Sequence, residues 1–252
     1  MNLSPLEFLA LCALIFLVAL AYSSVGHGGA SGYLAALSLF SLVVAKMAPS
    51  ALVLNLLVAG TAFLSFRRAG HFSLRLLLPF VATSIPAAFL GGLTPVSVRT
   101  YSFLLAGALL FAAFRLIYSI GGAESEPSYK PPSLPVSLPV GAVLGFVSGV
   151  VGVGGGIFLS PLLLLLRWAD AKRTAAVSAA FIFLNSAAGL YGHLSRSQID
   201  WPKMLPLVAA AFAGGFMGSY LGAWRLPSVW LRRILGIVLL VAAFKLVRTA
   251  LG

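Results

Sequence analysis

The chain has 252 residues, 60% of them hydrophobic and only 9% charged, with 17 basic side chains against 5 acidic ones and a formal net charge of +12. A soluble domain carries about a quarter charged residues, so this composition excludes one. The basic residues stand singly or in pairs at the ends of apolar runs, as membrane anchors and topology determinants do, which excludes nucleic acid as a partner.

In chain order, apolar runs fall at about 6–25, 33–45, 50–66, 74–92 and 98–120, many of them near the ~20 residues a spanning helix needs. The first has no basic residue before it, unlike a signal peptide, and is expected to remain as a membrane helix. Its Cys12 is the single cysteine, so no disulfide frame or thiolate metal site exists. A polar, proline-rich stretch, GGAESEPSYKPPSLP (121–135), is the one plausible linker. Runs then resume at about 136–151, 156–167, 174–194, 203–224 and 229–250. In each half the short second run directly follows a glycine cluster, GHGG at 26–29 and GVGGG at 152–156.

The halves also match locally. Gly26, Gly28 and Gly29 correspond to Gly152, Gly154 and Gly155 at a shift of 126 residues, and Leu54-Asn55 to Leu184-Asn185 at 130. Leu78-Pro79 corresponds to Leu205-Pro206, and Ala112–Leu116 to Ala242–Leu246. Five segments per half is an odd number, so the halves should run in opposite directions. Placing loop 67–75 in the cytoplasm puts eleven basic residues inside and six outside, with both termini outside. The alternative merges each short run with its predecessor, giving four helices per half and parallel repeats. The expected fold is therefore an all-α polytopic membrane protein of two inverted repeats, 1–120 and 136–252, each of about five membrane segments with a Gly-rich helix break. Such repeats place a transporter's binding site near the bilayer midplane.

An unwound glycine turn opening a helix presents backbone N–H groups at a positive dipole end, which suits an anion. Gly26, Gly28, Gly29, Gly152, Gly154, Gly155 and Gly156 are the candidates for that role. Gly145-x-x-x-Gly149 and Gly214-x-x-x-Gly218-x-x-x-Gly222 instead read as helix packing. His27 interrupts the first cluster where Val153 stands in the second. It is either a functional ionisable group or a neutral ring bonded to a nearby carbonyl. Asn55 and Asn185, in mirrored mid-segment positions, either tie the broken backbone or reach a substrate. Ser24, Ser31 and Ser160 add hydroxyls near the breaks, while Ser178 and Ser186 lie on the later helix. All five carboxylates lie at segment ends or in loops, which argues against a cation site, a carboxylate relay, or paired-carboxylate catalysis. No Walker A, HExxH or GxSxG pattern is present, and no cofactor is expected.

The stretch GFVSGVVGVGGGIFLSPLLLLL (145–166), followed by AAVSAAFIFLNSAAG, resembles the sulfite exporter TauE/SafE family of membrane proteins. The first half departs from the pattern, with His27 in the cluster, no glycine triplet and no matching proline. The resemblance implies transport of small sulfur-containing anions such as sulfite, sulfoacetate or other organosulfonates, across the plasma membrane (the inner membrane of a Gram-negative cell). The expected partners are that anion and the lipid bilayer, with self-association left open. Export by alternating access is the favoured mode. A proton-coupled uptake permease, an anion channel and, less favoured, an intramembrane redox enzyme are the alternatives.

Overall fold

The computed structural model describes residues 4–40, 44–94, 129–194 and 201–231, with single positions at 110, 233, 234, 236, 237, 240, 244 and 247. The fifth apolar run, most of the linker and most of the tenth run lie outside the described residues. Among the described residues every regular element is helical: α1 (Pro5–Ser24), α2 (Ala30–Leu39), α3 (Val44–Arg68), α4 (Leu74–Leu93), α5 (Leu134–Val151), α6 (Gly156–Leu165), α7 (Ala171–Leu194) and α8 (Trp201–Tyr220). A π-helical turn, Leu221–Arg225, continues α8.

Five of these helices are long and apolar enough to cross a membrane, namely α1, α4, α7 and the greater parts of α3 and α8. At ~1.5 Å per residue, the ten-residue helices α2 and α6 are about half a bilayer core long. Local chemistry sets several boundaries. Ser4 and Glu7 form a reciprocal cap on α1, Ser4 N–H donating to Glu7 Oε2 at 2.8 Å and Glu7 N–H to Ser4 Oγ at 3.3 Å, with Pro5 in the first turn. Ser73 caps α4 through the Leu76 N–H. α5 ends on Gly152 in the left-handed region, φ 74°.

Packing pairs helices from different halves. α1 lies on α8 and α4 on α5, while α3 and α7 pack on each other at the centre and on α8 and α4 respectively. Exchanging α1–α4 for α5–α8 maps this set of pairings onto itself, with α2 on α3 matching α6 on α7.

Both outer pairs are glycine seams. Gly145 and Gly149 of α5 lie against the backbone of Ser84 and Ala88 in α4. Gly214 and Gly218 of α8, with Gly222 of the π turn, lie against the carbonyls of Phe16, Leu20 and Ser24 in α1. Small residues let helices approach closely in lipid, where van der Waals contact supplies much of the association energy. Polar bonds add to the packing: Thr83 Oγ1 of α4 donates to the Leu138 carbonyl of α5 at 2.6 Å, and the hydroxyls of Ser65 in α3 and Ser219 in α8 lie 2.9 Å apart. Gly218→Val is therefore expected to part α1 from α8 and destabilise the protein by about 1–3 kcal/mol or more. Gly189→Ala, whose new methyl would meet Gly149 Cα at an ordinary 3.7 Å, should be tolerated. Thermal unfolding of both variants in detergent checks this, and equal losses would contradict the seam.

At one end of the bundle the α3–α4 loop, the start of α7 and the π turn meet. Lys172 Nζ donates to the Ala223 carbonyl at 3.3 Å, and Leu226 N–H closes an i→i+5 bond to Leu221 at 2.8 Å. Arg67, Arg68, Arg75, Arg173 and Arg225 are exposed on these same segments. His71 sits among them. Its burial first, and then the Lys172 ammonium, hold its imidazole below the usual range, while the Ala223 carbonyl and Asp170 pull the other way.

Candidate functional site

The chain leaves helical conformation between α1 and α2 and again between α5 and α6, at the two glycine clusters. Both clusters pack on one side chain. A Cβ on Gly28 would strike the Asn55 side-chain carbonyl, and one on Gly154 would strike the Asn55 amide nitrogen and Ser186 Oγ. Asn55, 1% exposed, thus stands between the two breaks. Its Oδ1 accepts the Ala30 N–H at 3.0 Å, capping α2, and its Nδ2 donates to Ser186 Oγ on α7 at 2.7 Å. A buried amide needs such partners, and these two join the N-terminal half-helix to the C-terminal half of the chain.

The mirrored Asn185 is bonded differently. Its Nδ2 donates to the Phe181 carbonyl of its own helix at 2.8 Å. Its Oδ1 is buried without a hydrogen-bond partner among the described residues.

His27, 2% exposed, has partners at both ring nitrogens. Nδ1 is 3.1 Å from the Val25 carbonyl, and Nε2 is 3.2 Å from Ser160 Oγ on α6. Ser160 Oγ is in turn 2.7 Å from Ser178 Oγ on α7. The ring therefore meets a nearby carbonyl and also reaches across to the other half.

A pocket opens beside this ring, at the N-terminal end of α2. It is lined by Tyr22, His27, Gly28, Gly29, Ala30, Ser31 and Asn55 from the first half, and by Val153, Ile157 and Ile182 from the second. In this conformation it has room for about one water molecule. The Tyr22 and Ser31 hydroxyls, 3.0 Å apart, form part of its wall.

Of the sequence candidates, His27, Gly28, Gly29, Ser31 and Asn55 come together at the pocket. Gly26 does not line it; with φ +76° it lies against the Ala175 backbone of α7. Ser24 donates to the Ala21 carbonyl at 2.7 Å. Gly152, Gly154, Gly155 and Gly156 also lie outside the lining. Gly152 ends α5, and the other three pack against Ile182, Phe181, Ser148 and the Ser178 carbonyl. Tyr22 was not singled out from the sequence; a phenol in an apolar run, one turn ahead of a glycine break, is the signal that marks it. Ser160 and Ser178, unremarkable as single serines, acquire meaning only as a chain ending on His27.

Comparison with known proteins agrees with this architecture. The family model described as "Sulfite exporter TauE/SafE" matches residues 11–246. The chain is 39% identical over 244 residues to "Probable membrane transporter protein y4hK" of Sinorhizobium fredii (strain NBRC 101917 / NGR234), covering 95% of this chain and 98% of that protein. It is 30% identical over 96 residues to "Probable membrane transporter protein YunE" of Bacillus subtilis (strain 168), covering 38% of this chain and 35% of the relative. No solved structure matches the chain. With its multi-pass helical bundle and a family match spanning nearly its whole length, the chain belongs to the sulfite exporter TauE/SafE family and is a membrane transporter rather than an enzyme.

Proposed function

We propose that the protein is a secondary carrier that moves a small sulfur oxyanion (sulfite, sulfoacetate or another organosulfonate) out of the cell across the plasma membrane by alternating access. The observation that carries this reading is the pocket at the broken end of α2, where a helix N-terminus, Tyr22, His27, Ser31 and Asn55 converge opposite Val153, Ile157 and Ile182. A positive dipole end and hydrogen-bond donors suit a compact anion, and no carboxylate lines the pocket to repel it. The pocket must widen to hold an oxyanion, as a closed intermediate of a carrier would. The membrane potential favours export, since each net negative charge leaving gains about 2.3 kcal/mol per 100 mV.

The repeats are read as inverted, with both termini outside the cytoplasm. Parallel repeats would put the α3–α4 loop and the start of α7 on opposite sides of the membrane. Here Lys172, at the start of α7, acts directly on His71 in that loop, and the basic residues around them mark a cytoplasmic face. In this arrangement the first break lies toward that face, its His27 linked through Ser160 to Ser178, six residues or about 9 Å past Lys172, while the second packs on Ser186, 14 residues or about 21 Å past Lys172.

Flux of labelled sulfite and sulfoacetate into proteoliposomes, at imposed voltages, tests the reading. Voltage-sensitive flux that falls at least tenfold in His27→Ala, with unchanged membrane insertion, is the expected result. No flux of any sulfur oxyanion would remove the substrate assignment.

A further inference from the structure

We propose that His27 is a proton-binding site that loads together with the anion, and that Ser160 and Ser178 form the hydroxyl relay that lets the ring take and lose that proton in place. This deepens the carrier reading and rests on it. A carbonyl can only accept, so the contact of Nδ1 with the Val25 oxygen at 3.1 Å puts a hydrogen on Nδ1 in either charge state. What changes on protonation is Nε2. In the neutral ring its lone pair accepts the Ser160 hydroxyl across 3.2 Å. In the charged ring Nε2–H donates to Ser160 Oγ, and the Ser160 hydrogen turns to Ser178 Oγ at 2.7 Å. Rotation of the Ser160 hydroxyl connects these states. A histidine with a purely structural role needs one partner per nitrogen, and Val25 with either Ser160 or the Gly156 carbonyl would suffice. Ser178 matters for the charged state, because there Ser160 becomes an acceptor and its own hydrogen needs a buried destination.

The surroundings fit a site that charges only with a counter-ion. The ring is enclosed by apolar wall and the carbonyls of Val25 and Gly156. From α1 the Tyr22 phenol faces the same pocket, and from α2 the Tyr33 phenol stands behind Gly29. α3 presents the Asn55 amide, and α6 and α7 present the hydroxyls of Ser160 and Ser178. The charges of Asp170, Lys172 and Arg173 lie at the start of α7, where they act on His71. No Lys or Arg side chain lines the pocket. An anion entering it therefore raises the proton affinity of His27, and by linkage the proton raises anion affinity equally. The proton comes from the water that the pocket faces on loading and leaves with the anion on the other side; nothing is oxidised or reduced. With one proton aboard, a monovalent sulfonate moves without net charge. Divalent sulfite moves with one net negative charge and still responds to voltage.

The test is proton counting during binding. Purified protein in weakly buffered detergent is titrated with sulfoacetate, whose acidic groups stay ionised near neutral pH, and proton uptake is read with a pH indicator. The expected result is about one proton per anion and an affinity falling about tenfold per pH unit above neutrality. His27→Gln should bind with no uptake and a flat pH profile, and Ser160→Ala should lose most of the uptake. Uptake and pH profile unchanged in His27→Gln would overturn the proposal while leaving the carrier reading intact. In parallel, ¹⁵N NMR of the imidazoles, assigned with His27→Gln, should show His27 with hydrogen on Nδ1 in the unliganded protein. Hydrogen on Nε2 alone would overturn it whatever the substrate. No binding of sulfoacetate, together with no proton movement during sulfite flux in proteoliposomes, overturns the proposal; no flux of either anion removes the carrier's substrate as well.

Discussion

Gly26→Ala is expected to destabilise the protein by roughly 2–5 kcal/mol, the largest effect of any single methyl considered. Two terms add. A φ of +76° disfavours a side chain by roughly 1–2 kcal/mol. The new Cβ would also land on the carbonyl and Cα of Ala175, and backbone in a packed helix has little room to give, so overpacking adds roughly 1–3 kcal/mol. Gly70 supplies the control. Its φ of +81° carries the same conformational term, yet nothing lies within 4 Å of an added methyl. Gly70→Ala should therefore show only the conformational loss. Thermal unfolding in one detergent, with both variants alongside the parent, gives the comparison. Equal losses would mean that α7 does not hold the first break in place.

The second large effect is an inequality between mirrored residues. Asn55→Ala leaves the Ala30 N–H and the Ser186 hydroxyl unmet in a buried site, and each orphaned group costs about 1–3 kcal/mol. A loss of about 2–4 kcal/mol is expected, with the start of α2 loosened. Asn185→Ala removes one bond to a carbonyl of its own helix and also removes an unpartnered oxygen. Its loss should stay below about 1 kcal/mol. Hydrogen exchange at Ala30 distinguishes the two variants independently of unfolding, since only Asn55→Ala should raise it. Similar stability losses in both would show that the asymmetry seen in the hydrogen bonds carries no energy.

Much of the framework is legible from residue order alone. Runs at 74–92 and 136–151 differ from α4 and α5 by one or two residues, because apolar stretches bounded by caps and glycines leave few other places for ends. The run at 50–66 undershoots α3, which starts at Val44 and continues through Pro49; proline and Lys46 read as a boundary, yet the helix carries them near its first turns. The run at 33–45 misplaces α2, which begins at Ala30 because Asn55, 25 residues later, caps it there. The helical glycine repeats read as packing, and the seams place each of them against backbone.

The division of labour between the two breaks is not legible in the same way. The clusters look alike as strings, and the one at 152–156 is the richer in glycine. The pocket nevertheless forms at the other, because Ile182 fills the space beside Gly154 and Gly156 while the Tyr22, Ser31 and His27 groups leave a polar gap beside α2. That outcome depends on which side chains of α7 face each break, information that periodicity does not contain. The bonds of Asn55 to Ser186 and of His27 to Ser160 span 131 and 133 residues, beyond any local pattern.

The glycine seams also determine which pieces can travel as rigid bodies. Each seam locks a helix of one half to a helix of the other, backbone close to backbone along its glycines. Separating the halves along the sequence boundary would open both seams at once and expose their carbonyls to lipid. A far cheaper hinge leaves each two-helix plank whole and lets the planks tilt about the central α3–α7 post. In the proposed carrier the mechanical units are thus woven from both halves of the chain, and a crosslink within a plank should leave its motion free where one from plank to post would stop it.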